Sequence, residues 1–162
     1  DFNLGLQTWY DVECWRDGIL LWTDHFHNIV TTVGKNKVLD AAFSTGLTTP
    51  AWFVGLVNNA SFTAYAATDT MSSHTGWIEG TPYSNTTRRA FTPGLIASGS
   101  VNNGSSRAIF SINTTLTIRG LFLTDSSTKD GTTGILYGAG DLSVARAVVN
   151  GDTINAKVTI SL

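Results

Sequence analysis

The stretch LQTWYDVECWRDGILLWTDHFHNIV, residues 6–30, places two aromatic-rich runs on either side of Asp17-Gly18. From Leu6 to Arg16 apolar and polar residues alternate in places, as on a half-buried strand. Asp17 and Gly18 both tolerate positive φ, which a two-residue hairpin turn needs if its twist is to match that of its strands. The strand pattern resumes in ILLWTDHFHNIV. Along this second strand Leu20, Trp22, Asp24, Phe26 and Asn28 share one face, and Ile19, Leu21, Thr23, His25 and His27 share the other. Both faces are apolar near the turn, so that end is either enclosed by the fold or covered by another subunit.

Outward from the hairpin, TTVGKNKVLDAAFSTG puts Val38, Leu39, Ala42 and Phe43 at helical spacing. Thr31 or Thr32 can cap the start and Gly46 can stop the end. This predicts one short helix near residues 34–45, lying as a lid across one end or face of the sheets. After Pro50, AWFVGLVNNA reads as a buried strand. Residues 61–82 carry no sustained period and read as an ordered excursion with a helical turn, suited either to contact with a neighbour or to packing on its own surface. The remainder is a series of strands: TRRAFTP, LIASGSVNN, SRAIFSIN, TLTIRGLFLTD, GILYGAG, ARAVVN and DTINAKVTISL. In the last of these Ile154, Ala156, Val158, Ile160 and Leu162 alternate with Thr153, Asn155, Lys157, Thr159 and Ser161, so one face is buried. The fold expected is a single domain over residues 1–162, all-β, an antiparallel two-sheet sandwich of jelly-roll type, with an immunoglobulin-like sandwich as the alternative.

Composition narrows the function. Of 162 residues only 14% are charged while 42% are hydrophobic, including 5 Trp and 8 Phe. Ordinary domains carry roughly 25% charged residues. A surface of neutral Thr, Ser, Asn and Gly loses little hydration energy when a partner covers it, and association, self-association included, is the expected use; the alternative is that Thr and Ser serve as strand residues on solvent faces. The 10 basic residues are scattered, Arg88-Arg89 being the densest pair, and the net charge is −2, so no nucleic acid partner is expected. No run of about 18 apolar residues suggests a membrane helix. Cys14, the single cysteine, sits in an apolar run and reads as a small core residue.

Reactive arrangements are sparse. His25 and His27 share a strand face and offer two imidazoles to one metal. The cupins, which use His-x-His followed shortly by Glu, show what is missing here: NIVTTVG follows with no carboxylate, and Glu13 on the neighbouring hairpin strand is a carboxylate that could reach the pair. Glu13 and Glu79, the two glutamates, lie in a hairpin and in a Gly-bounded loop, unlike a facing glycosidase pair. No Gly-x-Ser-x-Gly elbow marks a nucleophile. DSSTKDG, residues 125–131, has oxygen-bearing side chains along a bend, but Lys129 stands among the would-be calcium ligands and Asp130-Gly131 reads as a turn. No catalytic residue, metal site or cofactor is expected. Trp9, Trp15, Trp22, Trp52 and Trp77 exceed what one small core usually hides. The expected interface residues are Trp15, Trp22, His25, His27, Tyr65 and Trp77, with the hairpin of residues 6–28 as the contact element.

The runs FHNIVTTVGKNKVLDAAF, AWFVGLVNNASFTAYAATDTMSSHTGWIE, RAFTPG, IRGLFLTDSSTKDGTTGILYGAG and VVNGDTINAKVTISL resemble a family of small virion proteins of tailed phages. The resemblance extends from about Asp17 onward and is closest to head decoration, or cement, proteins of short-tailed phages. It implies a jelly-roll-like subunit on the outer surface of the capsid, with the major capsid protein as partner and no catalysis. Tail or fibre attachment is the alternative within the same resemblance. A jelly-roll carbohydrate- or metal-binding protein is the alternative outside it.

Overall fold

The computed structural model describes residues 5–44 and 50–162. The opening hairpin forms as its turn chemistry requires: β1 (Gln7–Arg16) and β2 (Ile19–His27) pair antiparallel around Asp17 at φ 50° and Gly18 at φ 77°. Then follow β3 (Ile29–Val30), α1 (Thr32–Phe43), β4 (Trp52–Asn58), β5 (Ile78–Gly80), β6 (Arg89–Phe91), β7 (Ser100–Asn102), β8 (Ala108–Ser111), β9 (Leu116–Thr124), β10 (Leu136–Val148) and β11 (Thr153–Ser161). They make two antiparallel sheets. The first runs β2-β1-β11, with β7 and β8 sharing the far edge of β11; the second runs β3-β10-β9-β4, with β5 and β6 sharing the far edge of β4. The chain passes between sheets after β2, β6, β8 and β10. Splitting an edge into two short strands leaves little free backbone ladder for stray pairing.

Period-two alternation places Tyr10, Val12 and Cys14 of β1 and Ile154, Ala156 and Val158 of β11 in the core between the sheets, against Val54, Leu56, Ile118, Leu121 and Leu123. The Cys14 thiol is buried there, and burial pushes its pKa up to about 11. The continuous apolar runs of β4 and β9 have a different cause: the second sheet is covered on both sides. On its outer side Val57, Phe122, Leu136 and Ala139 pack under Met71 and Trp77 from the excursion.

Several expectations need correction. The excursion of residues 61–82 contains no helical turn; it folds through a bridge between Thr70 and Ser73 into β5. Glu79 therefore lies on a strand and not in a loop. GILYGAG and ARAVVN are one strand, β10, in which Leu142–Ala145 leave the ladder between the pairs Asp141–Gly120 and Arg146–Ile118. In LIASGSVNN only Ser100–Asn102 is strand. Pro93 has no amide hydrogen to give a ladder, and the chain reverses at Ser98 and Gly99, both at positive φ. Leu95 and Ile96 are left without a sheet partner and fully in solvent.

The helix begins where its cap predicts, the Thr31 hydroxyl accepting from the Gly34 amide at 3.0 Å; its expected stop, Gly46, lies outside the described residues. The helix lies against β10 through Gly34 and against the core through Val38. Gly34 is its one buried residue and sits so close on the Tyr137 backbone that a Cβ would collide. Of its apolar stripe, Val38 packs against the core, while Leu39, Ala42 and Phe43 are turned to solvent, with Phe43 83% exposed.

Asp152 ties the end of β1 to the start of β11. Its buried carboxylate accepts from the Val149 amide at 2.9 Å and from Arg16 at 2.6 and 3.1 Å. The Arg16 guanidinium holds this carboxyl below its ordinary pKa. A depressed folded-state pKa adds stability above the unfolded value, which is lost as pH falls through the folded value. The chain is expected to lose stability on acidification below about pH 4, and Asp152→Asn to lack that part of the acid dependence, as read from thermal midpoints between pH 2 and pH 6.

Candidate interaction surface

The first hairpin is tied to the rest of the fold beside its turn and at the middle of its second strand, and carries bare apolar side chains at its tip. Arg16 holds β1 to Asp152. On β2, Asp24 Oδ2 accepts from the Ser143 amide at 3.0 Å and its hydroxyl at 2.7 Å, which joins the strand to the irregular part of β10. Arg146 lies over the Trp22 ring, 5.5 Å from its centroid. Across the ladder from Arg16, Ile19 is 65% exposed, and Leu20 and Leu21 are also open to solvent. The ladder shifts between Cys14 and Trp15, so that Trp15 pairs with Leu20. Trp15 and Trp22 are half-buried and support the tip from below, Trp22 packing on the core and Trp15 donating from Nε1 to Glu13 Oε2 at 3.0 Å.

His25 and His27 project from the outer face of the first sheet on either side of Trp9. His25 stacks on the indole at 4.8 Å and His27 meets it edge-on at 5.3 Å. His25 Nδ1 lies 2.6 Å from Asp11 Oδ1, and Lys157 approaches the other Asp11 oxygen at 3.5 Å. Glu13 turns away from the pair to Arg107, at 3.0 Å. Among the described residues no three His, Cys, Asp or Glu side chains converge. The face is a band of alternating charges, each close to its opposite, and such exposed pairs contribute little to stability.

Tyr65 and Trp77 do not belong with the hairpin. Trp77 is 1% exposed; its Nε1 donates to Asp69 Oδ2 at 3.0 Å, its ring stacks on His74 at 3.9 Å, and its other neighbours are Phe122 and Tyr65. An indole so enclosed is unavailable to a partner, and the expectation that Trp77 is an interface anchor is corrected on that ground. Tyr65 is half-buried between Phe62 and Trp77 and donates to the Gly140 carbonyl at 3.3 Å. Burial raises its pKa, with the nearby Asp141 carboxylate adding to the effect.

No family model and no curated protein matches the chain.

Two features escaped the sequence. Arg88, counted as half of a basic pair, is buried against Glu79, with Nε to Oε1 at 3.0 Å and a terminal nitrogen to Oε2 at 2.7 Å. Lys129 is also spent internally, donating to the carbonyls of Tyr83 and Asn85 at 2.8 and 3.0 Å, so 125–131 is a braced connection between β9 and β10. Burial lowers the Lys129 pKa. The second feature is a continuous apolar surface at the α1 end. One groove is lined by Leu6, Val38, Leu39, Ala42, Phe43 and Leu162, and the next by Leu6, Val38, Ile96, Val101, Ile160 and Leu162. The apolar helical spacing was legible, but the side of the helix that would meet the core was not. Among the described residues no helix is long and apolar enough to cross a membrane.

Proposed function

We propose that this chain is a structural subunit of a phage particle, binding the outer surface of the capsid shell and tying neighbouring capsomers together. The observation that carries the reading is the mounted hairpin: the core between the sheets is filled, yet Ile19, Leu20 and Leu21 stand in solvent on a strand pair held at Asp152 and Ser143. Rigid mounting lowers the ordering cost of binding. At about 25 cal/mol per Å² of apolar surface, such a tip makes a modest contact that repetition over many copies turns into firm attachment. The sequence resemblance to decoration proteins supports the same role.

The reading is tested by deleting the chain from its phage and adding purified protein back. Particles lacking it are expected to lose resistance to heat and chelation, with add-back restoring it, and antibody labelling is expected over heads. Unchanged resistance ends the cement role; labelling confined to tails transfers the attachment there. The paired change Ile19→Thr and Leu21→Thr places β-branched strand residues at both positions and removes apolar contact. It is expected to weaken add-back binding by about tenfold or more, near 1.4 kcal/mol, with an unchanged thermal midpoint.

A further inference from the structure

We infer that Asn150 is a site of spontaneous backbone modification: its side chain closes on the Gly151 amide, loses ammonia, and leaves aspartate or β-linked aspartate in the turn between β10 and β11. The chain holds two Asn-Gly steps, Asn103-Gly104 and Asn150-Gly151. Glycine has no side chain to shield its nitrogen from the residue before it, so both steps are open to this attack in an unfolded chain. The fold separates them. Asn103 is fully buried and its amide is held three times: Oδ1 accepts from the Val158 amide at 2.7 Å, and Nδ2 donates to the carbonyls of Ala156 and Ser106 at 3.3 and 3.4 Å. Asn150 is exposed at the corner of its turn, and among the described residues its side chain has no hydrogen-bond partner.

The two glycine nitrogens are held alike. Gly104 N donates to Asn102 Oδ1 at 2.8 Å, and Gly151 N donates to the Ile112 carbonyl at 3.0 Å. One such bond must open in either case, so the difference lies in the asparagine side chain and in the room for the peptide to rotate as the ring closes. Nothing lies within 4 Å of the place a Cβ on Gly151 would occupy, whereas one on Gly104 would meet Asn102 Oδ1 at 2.9 Å and the Lys157 side chain at 3.6 Å. The turn also explains why the labile step is there. The Asp152 amide donates to the Val149 carbonyl at 3.1 Å and Gly151 stands at φ 93°, as glycine does at the third position of a type II turn.

Water is the only co-reactant. The Gly151 nitrogen gives up its proton and bonds to Asn150 Cγ, the side-chain nitrogen leaves as ammonia, and a five-membered imide results. Opening by water at the former side-chain carbonyl gives aspartate; opening at the main-chain carbonyl sends the backbone through Cβ. That second product adds a carbon to a turn whose Val149 amide is bound to Asp152 Oδ2, and Asp152 in turn holds Arg16. The inference does not rest on the virion reading, because it concerns the purified chain alone.

The test ages purified protein at mildly alkaline pH, folded or in urea, and sequences the tryptic peptides Ala147–Lys157 and Ala90–Arg107 by mass spectrometry. In urea both Asn-Gly steps are expected to gain one mass unit at comparable rates. In the folded protein Asn150 is expected to convert at least about tenfold faster than Asn103, whose ring closure must break the side-chain hydrogen bonds as well. The aged fraction is expected to melt at a lower temperature than fresh protein. Asn150→Asp, which adds the charge but no backbone carbon, is expected to keep a midpoint near that of fresh protein, and Asn150→Gln to remain unmodified at this position. Equal rates at the two steps in the folded protein, no conversion of folded Asn150 while the urea sample converts, or an aged fraction that melts with fresh protein would each overturn the inference.

Discussion

Arg88→Met is expected to lower stability by about 3–5 kcal/mol, the usual cost of removing one partner from a buried ion pair. The guanidinium donates twice to Glu79, and it also donates to the carbonyls of Ser126 and Gly131, each at 3.0 Å. Phe122 lies beneath it, with 5.2 Å to the ring centroid. Methionine fills part of the volume but leaves the Glu79 carboxylate and two carbonyls without their donor. The Asp130 amide, 2.8 Å from Glu79 Oε2, remains as a partner but carries no compensating charge. The damage therefore comes from what is left behind. The double change Arg88→Met with Glu79→Met is accordingly expected to recover a substantial part of the loss in urea unfolding. Equal loss in the single and double variants would show that the arginine acts by packing or through the two carbonyls.

Trp77→Ala is expected to cost a similar amount, about 3–5 kcal/mol. The indole fills the space between the outer side of the second sheet and the excursion, touching Phe122, Tyr65 and His74. Its loss opens a cavity and removes a donor from Asp69, whose Oδ2 then accepts only from the Ala66 amide at 3.0 Å. Trp77→Phe is expected to be milder, retaining most of the volume while losing the hydrogen bond. Both are measured by denaturant midpoints. Binding to particles by the folded fraction is expected to be unchanged, in contrast to the hairpin-tip pair; a binding defect without loss of stability would return Trp77 to the interface.

These two side chains show where sequence reading stops. The indole of Trp77 looks, in sequence, like an isolated aromatic in a patternless stretch. Only the return of that stretch across β9 and β10 gives it Phe122, Leu136 and Ala139 as neighbours. Arg88 and Glu79 are nine residues apart, too far for any local pairing rule. They meet because β5 and β6 line up end to end on one edge of β4, at Leu56–Asn58 and Trp52–Val54. The hairpin is the opposite case. Its turn and its two faces follow from residues within two or three positions of each other, and Trp15 and Trp22 lie beside the tip as their spacing implies.

By itself the sequence determined what depends on neighbours along the chain: the turn at Asp17-Gly18, the cap at Thr31, and the alternation that makes β1 and β11 half-buried strands. A dihedral preference or a two-residue period acts locally and is written wherever those residues stand. Tertiary structure alone decided which apolar faces the core used. The α1 stripe and the outer side of the second sheet are both apolar, yet the excursion covers one, while the Gly34 and Val38 contacts leave Leu39 and Phe43 of the other outward. Burial depends on the path of the whole chain, and no local pattern specifies which of two equally apolar faces will be covered.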